Sequence, residues 1–193
     1  VLKTLKRTVK LESDPLNYWK HHVLKEVEEY QKVIVNEMIN IILSEGLPTT
    51  RKKLHERFYN YYKKKYPFLP SRIIEGAYII AGRIIKSFRK RRKRGLTRKD
   101  KPEYRRVMIS IPNTINWRFN KISVSILTHK GWIDIPLKVT KQFINYVSKG
   151  WRVSQELKLR LVGRKVLVLR RRLRWRRKKV ITFLLTLMRI TPP

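Results

Sequence analysis

Arg89-Lys90-Arg91-Arg92-Lys93-Arg94 places six basic side chains in succession. A run of this kind on a helix serves contact with phosphates, and its bland alternative is a solvated charged end. Phosphate contact is favoured because other clusters join it: Lys63, Lys64 and Lys65, then Arg105 and Arg106. Aromatic residues are interleaved with these charges: Tyr59, Tyr61, Tyr62, Tyr66, Trp117, Phe119, Trp132 and Trp151. Exposed rings stack on bases, whereas buried ones only pack a core. Tyr61 and Phe119 read as core. Trp117, next to Arg118, stays open between the two roles. The nucleic-acid-binding set expected from sequence is therefore these eleven cations with Trp117 and Arg118.

Catalytic chemistry is poorly served. Metal-dependent nucleases need acids converging on hydrated Mg²⁺. Glu26, Glu28, Glu29, Glu37, Glu45, Glu56 and Glu75 instead alternate with Lys and Arg on expected helices, as solvated faces do. Asp134 falls in an expected hairpin strand, exposed. His21 and His22 sit on the first helix, in a surface or half-buried role. No Ser-His-Asp arrangement or phosphate-cradling glycine loop stands out. There are no cysteines, which excludes disulfides, thiol catalysis and a Cys-based zinc site. The chain is expected to be no enzyme, to hold no cofactor and to take no small-molecule substrate.

The whole composition points the same way. Across 193 residues, 48 Lys+Arg stand against 13 Asp+Glu, a formal net charge of +35. At 42% hydrophobic the chain can bury a core, so it is no disordered basic tail. Such an excess calls for an anionic partner, with nucleic acid ahead of an anionic membrane. No stretch approaches the roughly 20 apolar residues of a membrane span. No signal-peptide core is seen either, so no membrane partner and a cytoplasmic location are expected. The charge is uneven: Glu156 is the last acid, and nine basic residues lie from Leu169 onward.

Behind these residues stand the elements that must position them. Residues Leu2 to Leu11 read as a strand. Asp14-Pro15 is a helix start. Leu16, Trp19, Val23, Val27, Tyr30, Ile34, Met38, Ile41 and Ile42 follow at helical spacing until Gly46 and Pro48. A second helix is predicted from Thr50 to Tyr66, with Leu54, Phe58 and Tyr61 or Tyr62 inward and Pro67 as its stop. Ser71 caps a third, burying Ile74, Ala77, Tyr78, Ala81, Ile84, Ile85 and Phe88. Gly76 and Gly82 within it allow close helix contact. Gly95 to Glu103 is a polar linker. Period-two alternation then marks strands at Val107–Ile111, Ile122–Ile126 and Trp132–Leu137, with a hairpin loop at His129-Lys130-Gly131. A short helix around Phe143 closes at Gly150. Leu157–Leu161 and Val166–Val168 form a last hairpin about Gly163-Arg164.

Several motifs in this second half occur in a characteristic order. Trp117-Arg118-Phe119 precedes Ile122-Ser123-Val124-Ser125-Ile126, then Gly131-Trp132-Ile133-Asp134-Ile135-Pro136-Leu137, then the hairpin from Lys158 to Val168. This passage resembles the TnpB (OrfB) proteins of insertion sequences, and the likeness spans Leu2 to Val168. The resemblance implies an RNA-guided DNA endonuclease, of the kind often called transposase. It implies an α+β fold in which a wedge-like split β-barrel is interrupted by a helical recognition insertion. Residues 1–12 would be the first barrel strand, 13–95 the insertion and 104–168 the rest of the barrel. Such a half grips guide RNA and target DNA, while base pairing reads sequence. Mg and Zn belong to the family's RuvC-like half, which is expected to lie outside this chain. Residues 169–193 depart from the family. With AGG arginine codons and plausible codons for the other residues, the adjacent reading frame reads as an acidic strand followed by D-V-N, as the family requires, so this basic tail is expected to be off-frame. The alternatives are a genuine Arg-rich segment, and a stand-alone basic DNA- or RNA-binding or regulatory module of a mobile element.

Overall fold

The computed structural model describes residues 5–105, 107–112, 114–120, 122–149 and 156–175. Arg106, Gly150, Trp151 and residues 176–193, singled out above, lie outside the described residues.

Strand β1 (Leu5–Ser13) leads into three helices: α1 (Tyr18–Ser44), α2 (Arg51–Lys65) and α3 (Ser71–Lys93). Then come β2 (Ile109–Ile111), a 3-10 turn (Thr114–Asn116), β3 (Trp117–Asn120), β4 (Ser123–Thr128) and β5 (Gly131–Lys138). Helix α4 (Lys141–Ser148) precedes the hairpin β6 (Leu157–Val162) and β7 (Lys165–Trp175). The helical insertion between the first strand and the others is as the residues predict. Helix α1, however, opens a turn later than Asp14. Asn17 is its N-cap, its side chain accepting from the Lys20 amide at 2.9 Å. Residues just before it serve a different purpose. Leu16 is buried, its amide donates to the Arg164 carbonyl at 2.8 Å, and the Arg164 guanidinium donates back to the Leu16 carbonyl at 2.9 Å. The β6–β7 turn thus fastens the start of α1.

All strand pairs are antiparallel, in the order β2-β6-β7-β1-β5-β4-β3. This is an open seven-stranded sheet, and the expectation of a closed split barrel is wrong. One cause is visible at the β2 edge. Residues Ile109–Ile111 pair with β6 on one side. On the other side Gln31 of α1 satisfies Ser110: its Nε2 donates to the Ser110 carbonyl (3.4 Å) and its Oε1 accepts from the Ser110 amide (3.1 Å). The backbone groups that a closing strand would need are occupied by a buried glutamine, which blunts the edge. Strand β7 also runs past Val168, pairing with β1 from Leu167↔Glu12 to Trp175↔Leu5 with an irregularity between Arg7 and Thr8.

Two apolar cores result. One face of the sheet packs on the first turns of α1 through Val23, Leu24 and Val27. The second core joins the later turns of α1 (Ile34, Val35, Met38, Ile39, Ile42) to α2 and α3. Gly82 meets a helix as predicted, whereas Gly76 meets chiefly the backbone of strand β2. A β-carbon at Gly76 would collide with the Ser110 carbonyl, and one at Gly82 would press on Leu54. The buried Glu75 carboxylate accepts from Arg51 and Arg72, tying α3 to the start of α2. Burial pushes that carboxyl up, but the two arginine hydrogen bonds and charges outweigh it and leave it below its ordinary value.

Candidate nucleic-acid interface

Helix α3 ends in a way that exposes cations. Phe88 is its last buried apolar residue, and every side chain from Arg89 to Arg94 is exposed. Gly95 takes a left-handed conformation (φ 67°), and Leu96 N–H donates to Arg91 O at 3.0 Å while Gly95 N–H donates to Arg92 O at 3.0 Å. This paired closure satisfies two terminal carbonyls with backbone alone, so no side chain is drawn in to cap them. The basic charge also complements the negative end of the helix dipole. Arg89 donates to the Leu47 carbonyl at 3.0 Å. Lys90, Arg91, Arg92, Lys93 and Arg94 have no side-chain partner among the described residues.

The lysine run differs. Lys63 Nζ donates to the carbonyls of Pro67 and Leu69, both at 2.9 Å, and so closes the turn between α2 and α3. Lys65 Nζ lies 2.9 and 3.0 Å from the two Glu37 carboxylate oxygens and 5.5 Å from the Tyr66 ring centroid. The Glu37 hydrogen bond raises its pKa above the ordinary lysine value. Only Lys64 of this run extends into solvent unpaired among the described residues. Arg105 donates to Glu103 at 2.7 Å, which lowers the pKa of that carboxyl.

The aromatic expectations need correction. Trp117 is 4% exposed and belongs to the sheet core, so it offers no face for stacking. Tyr61 is exposed rather than core, its neighbour Tyr62 being the buried residue. Phe119 is partly buried against the sheet core. Arg118 is exposed, with its guanidinium 4.6 Å from the centroid of Trp132, which is 42% exposed. Across the strands Ser125 donates to Asp134, and Lys20 of α1 donates to the Asp134 carbonyl at 2.8 Å. The exposed ring beside Arg118 is therefore Trp132, which the alternation of β5 places outward between Gly131 and Ile133.

Sequence reading also missed what holds the linker after α3. The Asn36 amide grips the Tyr104 backbone as a strand would, accepting from its N–H at 2.9 Å and donating to its carbonyl at 3.4 Å. The Tyr104 hydroxyl accepts from the Met108 amide at 2.8 Å and donates to the Met108 carbonyl at 3.0 Å. Asn36 and Gln31 thus fix the linker and β2 to α1. Lys99 and Lys101 are carried along beside the end of α3.

Among the described residues no three His, Asp or Glu side chains come together to hold a metal, and the sequence has no cysteine. No helix of the described residues is long and apolar enough to cross a membrane.

The fold and this helix end define an α+β protein with a cationic helical insertion. The chain belongs to the family described as "Uncharacterized protein MJ0013 family", which it matches over residues 23–127. That segment runs from α1 into β4 and includes the basic end of α3. "Uncharacterized protein MJ0857" of Methanocaldococcus jannaschii is 32% identical over 181 residues, covering 82% of this chain. The chain spans 65% of that relative's length.

Proposed function

We propose that this protein grips nucleic acid by its phosphates, structured RNA foremost, through the basic end of α3. The observation that carries this reading is five consecutive exposed cations, Lys90 to Arg94, without a partner among the described residues. Cations already held by carboxylates release fewer counterions on binding, whereas unpaired ones contribute fully. The net charge of +35 supports the same reading by favouring long-range attraction of a polyanion. In its most specific form, the chain serves as the RNA-gripping part of a TnpB-like RNA-guided endonuclease in the cytoplasm, holding guide RNA and target DNA without cleaving them. Pairing would supply sequence recognition, and the protein backbone and shape recognition. The off-frame reading of residues from Leu169 fails if the gene's adjacent frame carries a stop or no D-V-N reading.

The test is fluorescence anisotropy of the whole chain with a labelled RNA hairpin and a matched DNA duplex, from about 50 to about 200 mM salt. Binding of the hairpin should weaken steeply and linearly in log–log form, and duplex should compete less well. Salt-independent binding, or none, overturns the reading. Equal competition by the duplex overturns the preference for RNA.

A further inference from the structure

Beside the basic end of α3 lies a cleft of about 850 Å³, within the range of about 300–1,000 Å³ usual for ligand pockets. Helix α1 forms one wall, α3 the second and the linker after α3 the third. The walls differ chemically. On α1, Asn36 and Asn40 both line the cleft, one helical turn apart. The Asn36 amide is fully engaged by Tyr104. Asn40 is exposed, and its amide has no partner among the described residues. On α3, Arg91 supplies a planar unpaired guanidinium, three residues after the buried Phe88. From the linker come Lys99, Lys101 and Arg105, so cations outnumber the two lining carboxylates, Asp100 and Glu103.

These groups answer two parts of a nucleotide outside a stack, its base edge and its phosphates. A side-chain amide with a donor and an acceptor pairs with the edge of adenine at N6 and N7. Flanking cations take the phosphates. A duplex presents no separate base to such a cleft. A second cavity of about 320 Å³ shares Phe88, Arg91, Thr97 and Pro102 with the first and continues along α3, giving the chain a path onward.

We propose that this cleft receives one unstacked adenine nucleotide of a single-stranded RNA segment, its base edge on Asn40 and its phosphates on Arg91, Lys99 and Lys101. The proposal rests on the nucleic-acid reading above and adds base discrimination to it. The experiment titrates the whole chain with oligoadenylate, oligouridylate and an RNA duplex of equal length, for wild type, Asn40→Ala and Arg91→Gln. Thermal melting confirms that these surface variants fold. Wild type should prefer oligoadenylate over oligouridylate by about tenfold, the range a bidentate amide supplies. Asn40→Ala should erase that preference while leaving oligouridylate and duplex affinity and the salt slope unchanged. Arg91→Gln should weaken both single strands and reduce the salt slope by about 0.7. If wild type binds both homopolymers alike, or Asn40→Ala keeps the preference, the nucleotide cleft is refuted and the phosphate reading stands. If wild type binds no RNA, both fall.

Discussion

The two basic runs of the helical insertion look alike in composition and differ in what they leave available. Lys63–Lys65 closes α2 and is largely engaged by the protein itself: two backbone carbonyls hold Lys63, and the Glu37 carboxylate holds Lys65. Arg89–Arg94 closes α3, and five of its six side chains have no partner among the described residues. The cause is architectural. The end of α2 packs beside α1, where Glu37 stands, and turns back at once through Pro67. The end of α3 runs clear of the second core after Phe88 and is capped by its own backbone. Charge density along a chain is therefore a poor measure of charge offered to a ligand. What counts is whether the fold brings an acid or a carbonyl to each cation.

The largest effect expected from this contrast is on binding. Changing Lys90 to Arg94 together to Gln should lower affinity for an RNA hairpin by about a hundredfold or more at moderate salt, and flatten the salt slope by about 3.5. Changing Lys63, Lys64 and Lys65 to Gln should alter affinity by less than about threefold. Equal losses would erase the distinction. Both runs depend on α3 sitting where it does, and the next prediction addresses that. Gly76→Ala should cost about 3 kcal/mol in urea unfolding, because its β-carbon must displace the Ser110 backbone at the β2 edge.

A smaller effect concerns Glu75, which ties α3 to α2. Its folded pKa lies below the ordinary 4.5, so its contribution is complete above that value and is lost as pH falls through the lower folded one. Stability should decline below about pH 4.5. Glu75→Gln should cost about 1–3 kcal/mol at neutral pH and leave a shallower acid limb in unfolding measured against pH. An unchanged acid limb would remove Glu75 from the account.

Much of this insertion was legible from local signals. Pro67 marks the end of α2, Gly76 and Gly82 mark true close contacts, and Gly131 closes the β4–β5 hairpin at φ 97°, but the N-cap of α3 is Pro70, with no side-chain cap, and not Ser71. The inward stripe of α1 was read only in part. Trp19 is exposed, while Leu24, Val35 and Ile39 are buried. The reason is that α1 serves two cores in succession, the sheet and then the helices, and a single stripe at fixed spacing cannot describe a face that changes partner. The closed barrel failed for a related reason. Alternation identifies strands but not which edges meet, and the occupant of the β2 edge is Gln31, 79 residues earlier in the chain. The binding residues followed the same rule. The run 89–94 is exposed by local helix capping and was legible, whereas the fate of Lys65 was decided by Glu37, 28 residues away. Trp117, left open by sequence, is core because the face of a short strand is set by its partners: it pairs with Ile126 and turns inward.

The most direct way to break the comparison is to convert one run into the other. Glu37→Gln removes the carboxylate charge that holds Lys65, and the amide oxygen can still accept from the Tyr62 hydroxyl, now 3.1 Å from Glu37 Oε2. The pair is half exposed, so the fold should tolerate the change with little shift in melting temperature. Lys65 then stands free beside Lys64. If engagement by the protein is what silences the lysine run, hairpin affinity should rise about twofold to threefold and the salt slope should steepen by about 0.7. Lys65→Gln added to Glu37→Gln should return both to near wild type, which separates a freed lysine from the mere loss of a negative charge. A rise that survives the second substitution would assign the gain to lost repulsion by Glu37. No rise at all would place the end of α2 outside the path of the nucleic acid, making position, not pairing, the property that divides the two runs.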